Sequence, residues 1–279
     1  MKELPLKYRK SIDKYEPMQI EGLKLYPILV EDYYEFLIAK QSLEFMTQTL
    51  PIELMSLPVL DAYFQMDSGQ VKRYENPTGL FMSALLLLAL ALRLPGESVE
   101  DRLNQFQIVL KPDDQTRLKH IRFIRNGEEI VTITPVQFQK LRPFLAAQNG
   151  IEMIDENQNP ELIQAERDLA EKKAPKLEMN IRNLISAAAV TMHVSEDEVY
   201  KWPILKLTDR LGAEKRKLDY LICGIGESQG TTWKHGNPCP HPWFDREKTD
   251  SEAIIGLDKF AAGQGLAAVR DAMAARETQ

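Results

Sequence analysis

Hydrophobic positions along this chain keep three rhythms in turn. The middle one is the simplest. From Leu80 to Leu94 (LFMSALLLLALALRL) the run is apolar on every side apart from Ser83 and Arg93. Ala, Leu and Met favour helix, and nothing interrupts them before Pro95-Gly96, so the run predicts a helix. A helix that is apolar all round has to be enclosed by protein or lipid. This one is shorter than the roughly 20 residues a bilayer crossing needs, and no basic flank anchors it. The pattern therefore predicts a buried central helix, not a membrane span.

On either side of that run the rhythm is mixed. Apolar residues from Met18 to Ile28 alternate about Glu21-Gly22 and predict a small β-hairpin. Asp32 opens a helix with Tyr33, Phe36, Leu37 and Phe45 inward, and a second helix over 52–66 carries an interrupting Pro58. Residues 1–18 are mildly basic and read as an extended arm. Beyond Gly96, strands are predicted at 106–110, 120–124 and 129–133, the last two turning about Asn126-Gly127. A helix starts at Pro135 and closes at Asn149-Gly150. Shifted by 105 residues, Gly22, Leu25, Ile28, Tyr33 and Phe36 fall on Gly127, Ile130, Ile133, Phe138 and Leu141. A duplicated unit and two independent hairpin–helix units both predict this echo.

The third rhythm is helical. Helices are expected from Pro160 to about Pro175 and over 178–193. A further one opens at Ser195-Glu-Asp-Glu198, a capping box with acidic residues where the helix dipole favours them. That helix carries Val199, Trp202, Leu205, Leu207 and Leu211, with Leu218, Leu221 and Ile225 further along. Residues 224–246, rich in Gly, Pro and Trp, read as an ordered loop, and 259–276 as a last helix. The fold class is α+β, predominantly helical: a mixed domain over 1–155 and a mainly helical domain over 156–279.

A hydrophobic share of 44% in 279 residues, with 27% charged, sets aside wholesale disorder. A net charge of −6 argues against a dedicated nucleic-acid binder. The basic run Lys201–Lys217 lacks the interleaved aromatics that stack bases, so it reads as a solvated helix face or a complement to the acidic 152–168 surface. Two cysteines cannot make a disulfide framework, and MKELPLKYRK lacks the apolar core of a secretion signal. The expected home is a reducing cytoplasm.

Candidate chemistry is sparse. Cys223, His235, Cys239 and His241 are the only cluster of metal-ligand types, and zinc takes such donors. Their C-x11-H-x3-C-x-H spacing lacks the paired knuckles of zinc sites, so buried thiols and loop histidines are expected, with no metal and no cofactor. Gly224-Ile-Gly226 follows a helix where a dinucleotide loop follows a strand. Ser195 already has a capping task, so no catalytic residue is assigned. Glu152, Asp155 and Glu156 read as an acidic surface. Trp202, Trp233, Trp243 and Phe244 are the candidate partner-binding residues.

The second half resembles tail-assembly proteins of tailed phages and prophages of Gram-positive bacteria. The likeness rests on Gln148-Asn149-Gly150, Asn159-Pro160-Glu161-Leu162 with Glu166-Arg-Asp-Leu169, and Val194-Ser-Glu-Asp-Glu-Val199 leading to Trp202. It continues in Lys217-Leu-Asp-Tyr220, Gly236-Asn-Pro238 and Trp243-Phe-Asp245, covering about 148–246 with a weaker echo in 20–66. The resemblance implies a non-enzymatic tail assembly chaperone. Such a protein would hold the helical tape-measure protein, or tube subunits, through helical surfaces in the bacterial cytoplasm, with self-association open and no nucleic-acid or membrane partner. A structural tail or neck component of the virion is the alternative reading, and a small metal-dependent enzyme the second.

Overall fold

The computed structural model describes residues 4–68, 78–125, 127–153 and 180–231, with single positions 161, 163, 165, 168, 169, 237, 239 and 241. Among these residues the protein is α+β and predominantly helical, with two small antiparallel sheets. Chain contacts divide it into two compact units, Met1–Glu214 and Lys215–Gln279. The sequence-based boundary at 155/156 lies outside the described residues. Ile181, Ile185, Val199, Trp202, Ile204 and Leu207 join the same core cluster as the amino-terminal residues.

The first unit is organised about the apolar run. Helix α5 (Leu80–Ala91) is buried at every position except Met82. It is wrapped by α2 (Tyr33–Ala39), α3 (Gln41–Glu44), α4 (Val59–Asp67) and α6 (Val99–Leu103). The N-terminus of α5 has no cap of its own, because Gly79 stands there at φ +74°. Asp67, at the end of α4, supplies one. Its Oδ1 accepts from the Thr78 and Gly79 N–H groups at 2.7 and 3.0 Å, and its Oδ2 from the Phe81 N–H at 2.9 Å. A carboxylate there satisfies orphan donors and meets the positive end of the helix dipole.

At its other end α5 stops three residues earlier than the sequence suggests. Arg93 takes φ +53°, and Leu94 N–H and Arg93 N–H bond back to Ala89 and Leu90 carbonyls at 2.9 and 3.0 Å. This is a Schellman turn with arginine where glycine is usual. The guanidinium lies 4.6 Å from the centre of the Tyr26 ring, a cation–π contact that offsets the backbone cost.

Both hairpins form. Strands β1 (Met18–Ile20) and β2 (Leu23–Leu25) pair across Glu21-Gly22. Strands β3 (Phe106–Leu110), β4 (Leu118–Arg125) and β5 (Glu128–Ile133) make an antiparallel meander. Gly22 and Gly127 take φ of +82° and +83°, which only glycine adopts without strain. Each hairpin is followed by a helix, the second being α7 (Pro135–Gln148) with the capping box Thr134–Gln137. Asp61, buried on α4, holds this sheet in place: it pairs with Arg117 Nε at 3.1 Å and accepts from the Leu118 N–H at 2.9 Å.

Several expectations need correction. Residues 6–13 form helix α1 (Leu6–Asp13), not an extended arm. Its Tyr8 meets Phe144 edge-on at 4.9 Å, and that apolar anchor gives a short helix something to pack on. Pro58 starts α4 instead of interrupting it. The helix opened by Ser195 is two: α9 (Glu196–Tyr200) ends before Pro203, and α10 (Ile204–Ser228) begins after it. The break has a use. Val30 N–H donates to Trp202 O and Ile204 N–H to Ile28 O, both at 2.9 Å, so the interrupted backbone is paired with the segment after β2. Helix α8 (Ile181–Met192) forms much as expected. The expected helices from Pro160 and over 259–276 fall largely or wholly outside the described residues.

Gln148-Asn149-Gly150, which carries part of the resemblance, is a structural junction. Asn149 Oδ1 accepts from Ile28 N–H at 2.9 Å, and Gln148 Nε2 donates to Glu16 and Leu25 carbonyls at 3.2 and 3.3 Å. Gly150, at φ +71°, lies so close to Leu205 that a Cβ would stand 3.0 Å from its Cδ1.

Candidate functional site

Helix α10 is amphipathic along its whole length, and its apolar face has two fates. At 100° per residue, Ile204, Leu207, Leu211, Leu218, Leu221, Ile222 and Ile225 fall on one stripe. Ile204 and Leu207 are buried in the core and Leu211 packs against it. The continuation is uncovered: Leu218 is 50% exposed, Leu221 49%, Ile222 66% and Ile225 57%. Around the helix from this stripe, Lys215 pairs with Asp219 at 2.6 Å. The expected loop at 224 does not begin there. Gly224 and Gly226 lie inside the helix, and the chain turns at Gly230 with φ +86°. The pattern Leu221, Ile222, Ile225 keeps helical period through the glycines, which cost only about 1 kcal/mol each. This also removes the phosphate-loop reading of 224–230.

Fully burying a Leu or Ile side chain contributes ~2 kcal/mol, so completing the burial of four half-exposed ones contributes on the order of 4 kcal/mol. Alone, that supports only ~1 mM binding. A tight complex needs an occupant long enough to use the flanks of the stripe too.

The predicted partner-binding residues fare differently. Trp202 is not available. It is 7% exposed and belongs to the core, with Lys206 Nζ 4.2 Å from the centre of its ring. Apolar body inward and cation outward is how such a pair sits at a core edge. Trp233, Trp243 and Phe244 lie outside the described residues, as does His235. Cys223 is buried and Cys239 half-buried, while His241 is exposed. Among the described residues no group of three or more His, Cys, Asp or Glu side chains could hold a metal ion.

Two polar clusters escaped the sequence reading. A crevice of about 200 Å³ at the C-terminal end of α5 is lined by Ile28, Leu29, Glu31, Asp32, Arg93 and Arg102, among others. Arg102 reaches Asp32 at 2.8 Å and Glu35 at 3.5 Å. Burial pushes the Glu35 carboxyl up and Arg102 opposes it. The lining has no histidine, cysteine or serine, and its charges neutralise one another, as in a structural ion network. In the second cluster Arg142, 3% exposed on α7, donates to the Ser42 carbonyl at 3.3 Å, which also accepts from Tyr63 Oη at 2.8 Å. A single arginine within the apolar run of α7 was the available signal. It could not say which carbonyl would receive it.

No family model, no curated protein and no solved structure matches this chain. Among the described residues, no helix is long and apolar enough to cross a membrane.

Proposed function

We propose that this protein is a tail-assembly protein of the tailed-phage kind, a chaperone in the bacterial cytoplasm that carries out no reaction and works by lending a helix face. The observation that carries the reading is the stripe Leu218, Leu221, Ile222 and Ile225. It continues a face whose first half is already packed into the core, and a straight apolar stripe on a helix suits another amphipathic helix laid along α10. The tape-measure protein, long, helical and apolar before tube subunits enclose it, has that chemistry. The resemblance in residues 148–246 supports the same reading.

The test is co-expression of the full chain with a phage tape-measure protein, followed by co-purification. The wild-type chain is expected to bring the tape measure down in soluble form, and a Leu221→Asp/Ile225→Asp variant to lose it. Unchanged co-purification by that variant would overturn the role of the stripe. Peptide mapping of finished particles separates the two structural roles: a chaperone is absent from them, and a tail or neck component is present.

A further inference from the structure

Arg142 brings a full positive charge into the core of the first unit, where it is 3% exposed on α7 beside the buried Leu141. Its Nη2 donates to the Ser42 carbonyl at 3.3 Å. That oxygen also accepts from Tyr63 Oη at 2.8 Å, so both its lone pairs are engaged. Arg142 Nε is buried and has no hydrogen-bond partner. Among the described residues no carboxylate lies within ion-pair distance of the guanidinium. A guanidinium does not shed its proton to escape burial, so the charge stays. A buried charge is costly until something of opposite sign meets it.

Beside this charge is a small cavity. Leu43, Phe45, Met46 and Met153 give it apolar walls, Thr47 and Gln48 polar ones, and Arg142 its charge. It offers about 10 Å³, roughly the space that one water-sized guest needs. We propose that this cavity binds a single halide ion, chloride in the cell, held by the Arg142 guanidinium. The charge sets the sign of the guest: a water molecule accepts from Nε but leaves the cation uncompensated. The volume sets its size, since phosphate, sulfate and carboxylate ligands carry too many atoms. Apolar walls and a weakly hydrated guanidinium select an ion that gives up its water readily, so bromide binds at least as well as chloride and fluoride far less. The bound ion ties α7 to the turn after α3, two segments about 100 residues apart in the chain. All the residues involved belong to the first unit, so the anion site is independent of the function given to the stripe on α10.

The experiment unfolds the full-length chain by heat at constant ionic strength while sodium chloride replaces sodium gluconate, whose anion is too large for the cavity. The same titration is run on Arg142→Met, which keeps the apolar stem and removes the charge. General salt effects shift both proteins alike. The wild-type midpoint is expected to rise relative to the variant along a saturating curve, by about 5 °C once chloride stands about a hundredfold above its Kd. Bromide is expected to reproduce the rise and fluoride to lose most of it. A chloride response equal in the two proteins, or absent from the wild type, overturns the site. Should the variant not fold, wild-type crystals grown in sodium bromide and measured at the bromine absorption edge decide the matter. An anomalous peak within contact of Arg142 Nε supports the site, and a water or an empty cavity there overturns it.

Discussion

Helices α5 and α10 are both leucine-rich, yet one is closed off and the other is half open. In α5 the apolar residues have no period, so no orientation leaves it a polar side, and four other helices have to enclose it. In α10 they keep to one stripe, so the helix needs only one covered face, and it has that cover for its first two turns alone. Where apolar residues go all round, burial is compulsory. Where they follow the helical period, burial is optional, and the uncovered part is free to act on something else.

The largest effect should come from the enclosed helix. Leu87→Ala removes a side chain with no exposure at all and should cost about 3–4 kcal/mol in chemical denaturation. A loss under about 1 kcal/mol would mean that α5 is not the packed centre. Next is its cap: Asp67→Ala strips three backbone N–H groups of their acceptor and should cost about 1–2 kcal/mol. Asp67→Asn should recover part of this, because an amide oxygen still accepts while the charge at the helix dipole is gone.

The anchored half of α10 offers a subtler test through Tyr15, whose hydroxyl donates to Asp209 Oδ2 at 2.9 Å. Tyr15→Phe should cost about 1 kcal/mol near neutral pH. Partial burial, then the Asp209 hydrogen bond and charge, push this phenol up to about 12. A group with a raised folded pKa contributes stability that is fully present below its ordinary value of 10 and is lost as pH rises towards 12. Wild-type stability should therefore fall more steeply than that of Tyr15→Phe between those limits. Tyr63, also pushed up by burial, is common to both proteins and drops out of the difference. The smallest effect belongs to the open stripe: Leu221→Ser should change stability by no more than about 0.5 kcal/mol while lowering partner capture. A loss as large as that of Leu87→Ala would show the stripe to be covered, and the contrast between the helices would fail.

Local signals carried well into the fold where they were strong. Gly22 and Asn126-Gly127 announced both hairpins, Pro135 opened its helix as the first residue and Ser195 capped the next but one, and the 80–94 run is indeed enclosed. Weak signals went the other way. Leu6–Asp13 reads as extended because its helical preference is slight, and packing of Tyr8 and Ile12 on the core organises it. The Gly224 and Gly226 pair has the low propensity of a helix end, but the period of Leu221, Ile222 and Ile225 carries the helix through it. Of the candidate site, the stripe was legible as a pattern, but its exposure was not. Trp202 was equally ambiguous in sequence and turned out to be core.

By itself, then, the order of residues determined the strongly patterned helices and strands, that one helix must be hidden, and that α10 has an apolar side. Periodicity and turn chemistry act between near neighbours, and these are written directly in the chain. Only tertiary structure decided that Asp67 caps a helix beyond its own, that Pro203 pairs its flanks with residues 28–30, and where along α10 the cover ends. Each of these depends on partners distant in sequence, whose meeting follows from how all the faces are buried together.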